Sequence, residues 1–276
     1  MLVKKLMIIG HLAANEIHIG DVVKRYWGGA GCHVALGASL FLPKNNVILV
    51  SVCGDDYDLD LLAQTGVDVS GIDVQKEQVS DRFLIWEQKG ERKGFKSVGS
   101  LFNKISLIGK EKLFNGVSWV HLATSPPKQQ LFWMKELGRI KNGSFGISAD
   151  SFELFVDENP EEVKKVFEKC DLLFANLKEW QNLKYKTKKP FVLKLGKDGA
   201  CYYKNGEIKF RVSALKMRKI VDTTGAGEVV AGVFLAQQLL GKSKEESLKT
   251  ACKMASLSVK GWGLEFLRDG LHRICL

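Results

Sequence analysis

Six short apolar runs, at residues 6–9, 47–52, 117–122, 144–149, 172–175 and 191–195, are continuous rather than alternating. A strand that is apolar on both faces has to be covered on both, which is what a parallel sheet with crossover helices on either side achieves. The segments between these runs, at 34–41, 131–140, 161–169 and 228–240, repeat apolar residues at helical spacing. The alternation predicts a doubly wound, mostly parallel α/β fold. A chain of 276 residues, 45% hydrophobic, is long enough to build it around one sheet, so a single domain spanning 1–276 is expected.

Two stretches break the rhythm. Residues 16–23, with Ile17, Ile19 and Val22, and residues 81–96, where Phe83-Leu84-Ile85-Trp86 and Gly94-Phe95-Lys96 flank a Lys89-Gly90-Glu91 turn, read as antiparallel ribbon strands. They predict a small β-lid made of two insertions, about 14–23 and 80–98. Ile17, Phe83, Ile85 and Trp86 are its expected water-excluding side chains.

Lys and Arg exceed Asp and Glu, giving a formal net charge of +10. The basic residues are scattered, and their clusters at 184–189 and 216–219 lack the interleaved aromatics of a nucleic-acid platform, so no nucleic-acid partner is expected. The six cysteines (Cys32, Cys53, Cys170, Cys201, Cys252, Cys275) form no C-x-x-C pair, and the five histidines (His11, His18, His33, His121, His272) form no ligand pair. Free cytosolic thiols and no protein-held zinc follow. The N-terminal apolar run is too short for a signal sequence or a membrane span, so a cytoplasmic enzyme is expected.

The chemistry concentrates at Val221-Asp222-Thr223-Thr224-Gly225-Ala226-Gly227-Glu228, which runs straight into a helical pattern. Small residues at Gly225, Ala226 and Gly227 leave backbone N–H groups uncovered at a helix N-terminus, where the dipole favours an anion. Glu228 would repel a merely stored phosphate. It suits a base that accepts a proton from a substrate hydroxyl while the N–H groups neutralise charge on the transferred group. The same glycines would also cap an ordinary buried helix. Residues 236–243 fall one residue short of G-x-x-x-x-G-K-S and read instead as a Gly-terminated helix followed by a Ser243–Glu246 capping box.

The 222–228 segment resembles the D-T-x-G-A-G-D signature of the ribokinase family, the phosphofructokinase-B type carbohydrate kinases, with Glu228 in place of the final Asp, the family's catalytic base. The rest of the chain resembles that family in order. Gly28-Gly29-Ala30-Gly31-Cys32-His33 is similar to its G-G-x-x-x-N loop, which lines the sugar pocket, with His33 for Asn; Asn15 stands where a substrate-binding Asp is common. Asn176 and Glu179 resemble its N-x-x-E motif, which organises Mg2+ through water, and read equally as a helix capping box. Lys194, Gly196 and Gly199 resemble its strand and turn beside the ATP phosphates; Lys194 could touch phosphate or be a solvated strand-end charge. Thr223, Cys252 and Gly263 fall on its nucleotide side, and Asp222 and Thr224 on its monovalent-cation site.

The resemblance implies ATP- and Mg2+-dependent phosphoryl transfer, with potassium as a further cation, to a hydroxyl of a small sugar, sugar derivative or nucleoside. The protein would be a monomer or a lid-mediated homodimer. Replacements at Asn15, His33 and Glu228 leave a second reading, a degenerate relative that binds sugar or nucleotide without turnover.

Overall fold

A computed structural model of the protein describes residues 4–88, 91–140 and 144–263. The Lys89-Gly90 turn, His272 and Cys275 lie outside the described residues.

The chain begins β1 (Lys5–Ile9), β2 (Ala13–Ile19), β3 (Val22–Gly28), α1 (Ala30–Ser39), β4 (Val47–Gly54), α2 (Leu59–Ala63), β5 (Val67–Asp68) and β6 (Ile72–Gln75). It continues through β7 (Arg82–Gln88), β8 (Glu91–Val98), β9 (Val117–Leu122), α3 (Pro127–Leu137), β10 (Gly146–Asp150), α4 (Glu153–Glu158) and α5 (Pro160–Lys169). The last part is β11 (Leu172–Asn176), α6 (Leu177–Leu183), β12 (Phe191–Lys194), β13 (Ala200–Lys204), β14 (Glu207–Val212), α7 (Ala226–Leu239) and α8 (Lys244–Ser258). The main sheet runs β14-β13-β12-β11-β10-β9-β1-β4-β5, with β6 also on β4. Its pairings are parallel except β12 with β13 and β13 with β14. This is the doubly wound fold that the six apolar runs predict.

Alternate residues of those runs feed opposite cores. Leu6 and Ile8 of β1 pack with α1, α7 and α8, while Met7 and Ile9 face Trp133 of α3 and Phe167 of α5. Burial on both faces is why the runs carry no polar alternation. At the contact of α1 with α7 the helices approach backbone to backbone: a Cβ on Gly232 would lie 2.1 Å from the Val34 carbonyl oxygen.

A second sheet, β3-β2-β7-β8, forms the lid. Residues 16–23 are not one ribbon strand. The chain turns at Gly20-Asp21, so Ile19 pairs with Val22, and the returning β3 runs to Gly28, beyond the expected boundary. Each hairpin is antiparallel, but β2 and β7 join them in parallel, with Asn15 opposite Phe83 and Ile17 opposite Ile85.

No helix among the described residues is long and apolar enough to cross a membrane. The five described cysteines are buried and free.

Candidate active site

In an open parallel sheet, ligands bind beyond the carboxyl ends of the strands where the strand order reverses. Here β1 lies between β4 and β9, and a cleft of 950 Å3 opens at those strand ends beneath the lid. His11 follows β1, Thr124 follows β9, Ser151 follows β10, Asn176 ends β11 and Lys194 ends β12, and all line the cleft.

The N-terminus of α7 forms its floor. Gly225 is the N-cap with φ +79°, a left-handed conformation that suits glycine, and a Cβ there would also strike the His33 ring at 2.3 Å. Asp222 fixes the turn by accepting the Thr224 N–H at 2.8 Å. The Ala226 N–H is turned onto the Thr223 carbonyl at 3.3 Å, whereas the Gly225, Gly227 and Glu228 N–H groups meet no acceptor among the described residues. The uncovered N–H groups are thus those of Gly225, Gly227 and Glu228 rather than the Gly225-Ala226-Gly227 set that the sequence suggests. Glu228, on the first turn, reaches the cleft with Oε1 3.4 Å from the Thr124 hydroxyl.

Around this floor sits a buried cluster of charges. Lys194 donates to both oxygens of Asp150, at 2.7 and 2.6 Å, and its ammonium would lie 3.3 Å from a Cβ on Gly227. It is thus neither a solvated strand-end charge nor free, but a cation held inward beside the first turn of α7. Burial disfavours its charge, yet Asp150, Glu179 and Glu228 hold its pKa above the usual lysine value. Burial also raises Asp150 and, with Asp150 nearby, pushes Glu179 up to about 7. Asn176 and Glu179 do form the capping box: Asn176 Oδ1 accepts the Glu179 N–H at 2.8 Å, and Glu179 Oε2 accepts the Asn176 N–H at 2.9 Å and the Ser151 hydroxyl at 2.8 Å.

At the lid end, Asn15 is 1% exposed; its amide lies near the Tyr26 hydroxyl, but neither Oδ1 nor Nδ2 reaches a partner at hydrogen-bond distance. A buried amide with both ends unsatisfied is costly unless a ligand completes it. His33 Nδ1 donates to the Gly29 carbonyl at 2.9 Å, so in the neutral ring Nε2 is the acceptor.

Gly196, Gly199, Thr223, Thr224 and Cys252 also line the cleft. Three expected site residues do not. Gly28 offers its carbonyl to the Tyr57 hydroxyl, Asp222 is buried under the Tyr26 hydroxyl, and Gly263 packs on the Tyr26 ring. Among the expected lid side chains, Phe83 and Ile85 face the cleft. Ile17 is fully buried but does not line it, and Trp86 points away, 39% exposed and stacked on His18. Period-two alternation explains Trp86, since it lies one residue from Ile85.

Sequence reasoning missed Asp150, His11, Thr124, Ser151 and, of the aromatic lining, Phe95, Phe102, Phe152 and Phe155. Only the strand-end position of Asp150 hints at its role.

The family model of the pfkB carbohydrate kinases matches residues 4–266. The chain belongs to this family. A cytidine kinase of Thermococcus kodakarensis is 24% identical over 277 residues, 94% of this chain and 97% of its own. A ribokinase of Cryptococcus neoformans solved with ADP superposes with a TM-score of 0.80 at 18% identity, covering 100% of both chains. An E. coli protein solved with ATP and Mg2+ gives 0.80 at 22% identity, covering 99% of this chain and 98% of its own. As a pfkB-family kinase the protein is a phosphotransferase with an alcohol acceptor.

Proposed function

We propose that the protein transfers the γ-phosphoryl group of ATP to a hydroxyl of a small sugar, sugar derivative or nucleoside, with Glu228 as general base. The observation that carries this reading is the adjacency of Glu228 to backbone N–H groups without acceptors at the start of α7. A carboxylate there takes the proton of the attacking hydroxyl as the oxygen–phosphorus bond forms, while those N–H groups stabilise charge on the transferred group.

The ATP phosphates would lie between this turn and the Gly196–Gly199 turn, within reach of Lys194 and Thr223, with the base toward Cys252. Asn15 and His33 would orient the acceptor from the lid side. The donor set fits magnesium. The ion would be held through water rather than directly, because among the described residues no three acidic, histidine or cysteine side chains converge to ligate a metal, whereas the Asn176 amide and the Glu179 carboxylate put hard oxygen donors on the cleft. Glu179 and Asn176 would hold the ion through water, and when bound it would draw charge from the phosphate oxygens. A monovalent cation such as potassium would take the Asp222–Thr224 turn, where the buried Thr224 hydroxyl has no partner.

The test is ADP release from Mg·ATP with a panel of sugars and nucleosides. Glu228→Gln should lower kcat by about 10²- to 10⁴-fold while ATP still raises the melting temperature. Normal turnover in the variant would overturn the base assignment. Absence of turnover in the wild type, with ATP-induced stabilisation intact, would favour the binding protein that Asn15, His33 and Glu228 leave open.

A further inference from the structure

The lid end of the cleft is walled mainly by aromatic rings, with Asn15, Ser97 and His11 as its polar members. Phe83 of β7 and Phe95 of β8 face Phe102, Phe152 and Phe155 of the main body, and His11 lies among them. The rings form one chain: Phe102 to His11 at 4.9 Å, His11 to Phe83 at 6.1 Å, Phe83 to Phe95 at 5.5 Å, Phe95 to Phe152 at 5.4 Å and Phe152 to Phe155 at 5.8 Å. Lid and body meet through this wall at the His11–Phe83 and Phe95–Phe152 contacts.

The wall carries no charge. Burial lowers the His11 pKa to about 4, so its ring is neutral near pH 7. The Ser125 hydroxyl donates to the Thr124 carbonyl, so His11 Nε2 donates to Ser125, which leaves the ring face and the Nδ1 acceptor for a ligand. The lysines of the cleft, Lys194, Lys197 and Lys216, belong to β12 and to loops at the opposite end of the sheet order from the lid.

Resting on the kinase reading above, we infer that the acceptor is a ribonucleoside whose base stacks against this phenylalanine wall, while Asn15 reads the ribose hydroxyls. An amide with one free acceptor and one free donor matches a vicinal diol. A free hexose would press most of its remaining hydroxyls against phenylalanine, more than the few polar groups at that end can bond. A sugar phosphate would bring its dianion to a neutral wall. A nucleobase has the flat, weakly hydrated faces that aromatic rings hold, at a stacking energy appreciable for each ring contact. Because the wall is divided between lid and body, a bound base would also hold the lid down, so the base contributes to closure as well as affinity.

The experiment measures kcat/KM for cytidine, uridine, adenosine, guanosine and free ribose with Mg·ATP, in the wild type and in Phe95→Ala and Phe152→Ala. At least one nucleoside should exceed ribose by about 10- to 100-fold, and each variant should narrow that ratio. Far-ultraviolet circular dichroism and melting temperature establish that the variants are folded, and Phe95→Leu and Phe152→Leu serve in place of any that is not. Ribose or a hexose turned over as well as every nucleoside would overturn the inference and leave the kinase reading standing. If no acceptor is turned over, the kinase reading fails instead. Thermal shifts then decide the base site: a larger shift with a nucleoside than with ribose, lost in Phe95→Ala, supports it, and equal shifts overturn it.

Discussion

Lys194 shows how one side chain ties the start of α7 to the acid cluster of the cleft. Its bidentate ion pair with Asp150 is deeply buried, the Asp150 side chain being 0% exposed. Removing one partner of such a pair leaves the other as an uncompensated charge, at a cost of about 3–5 kcal/mol. Lys194→Met should therefore lower stability by about that amount in chemical denaturation, and Lys194→Met with Asp150→Asn should recover most of it. Turnover should not return in the double variant, because the cation beside Gly227 stays missing. Recovery of both would make Lys194 purely structural. The pair is formed across 44 residues of sequence, which is why a lone Asp at the end of an apolar run is no more than a hint and Lys194 alone allows two readings.

At the scale of elements, the contact of α1 with α7 holds the Gly225 turn in place, since both the turn and His33 sit at the ends of these two helices. Gly232→Ala would drive a methyl to within 2.1 Å of the Val34 carbonyl oxygen, and neither backbone can yield without separating the helices. A loss of about 1–3 kcal/mol is expected, a fall in Tm of roughly 2–12 °C for a chain of this length, with a larger proportional loss of turnover. An unchanged Tm would mean that the helices are not in this contact. The elements with a continuous pattern were legible in the sequence: the six buried strands, α7 and the two capping boxes at Asn176 and Ser243 all lie where local chemistry puts them. The failures share a cause. The strand β3 carries Lys24-Arg25-Tyr26-Trp27 because one lid face meets solvent, so no apolar alternation marks it, and the parallel joining of β2 to β7 is a tertiary choice.

The whole molecule keeps two histidines neutral by burial. The pKa of His11 is lowered to about 4, and that of His121, with Lys194 adding to the effect, to about 3. In both cases the folded value lies below the unfolded value of 6.5, so the unfolded chain binds more protons as pH falls through this window. Stability should be fully present above about pH 6.5 and fall below it by about 1.4 kcal/mol per pH unit for each histidine until its folded pKa is reached. Denaturation between pH 6.5 and 4 measures the slope, and His121→Gln should remove one proton's share of it; an unaltered slope would mean that His121 is not buried neutral. The central claim concerns the same cleft in action: Glu228 and the start of α7 move a phosphoryl group from ATP to an alcohol. Its most direct test supplies ATP labelled in the γ position together with a ribonucleoside and follows the label. Label in a phosphate ester of the acceptor, formed by the wild type and reduced at least about 100-fold in Glu228→Gln, is the predicted result. Label appearing only as inorganic phosphate, or an ester formed equally well by the variant, would contradict it.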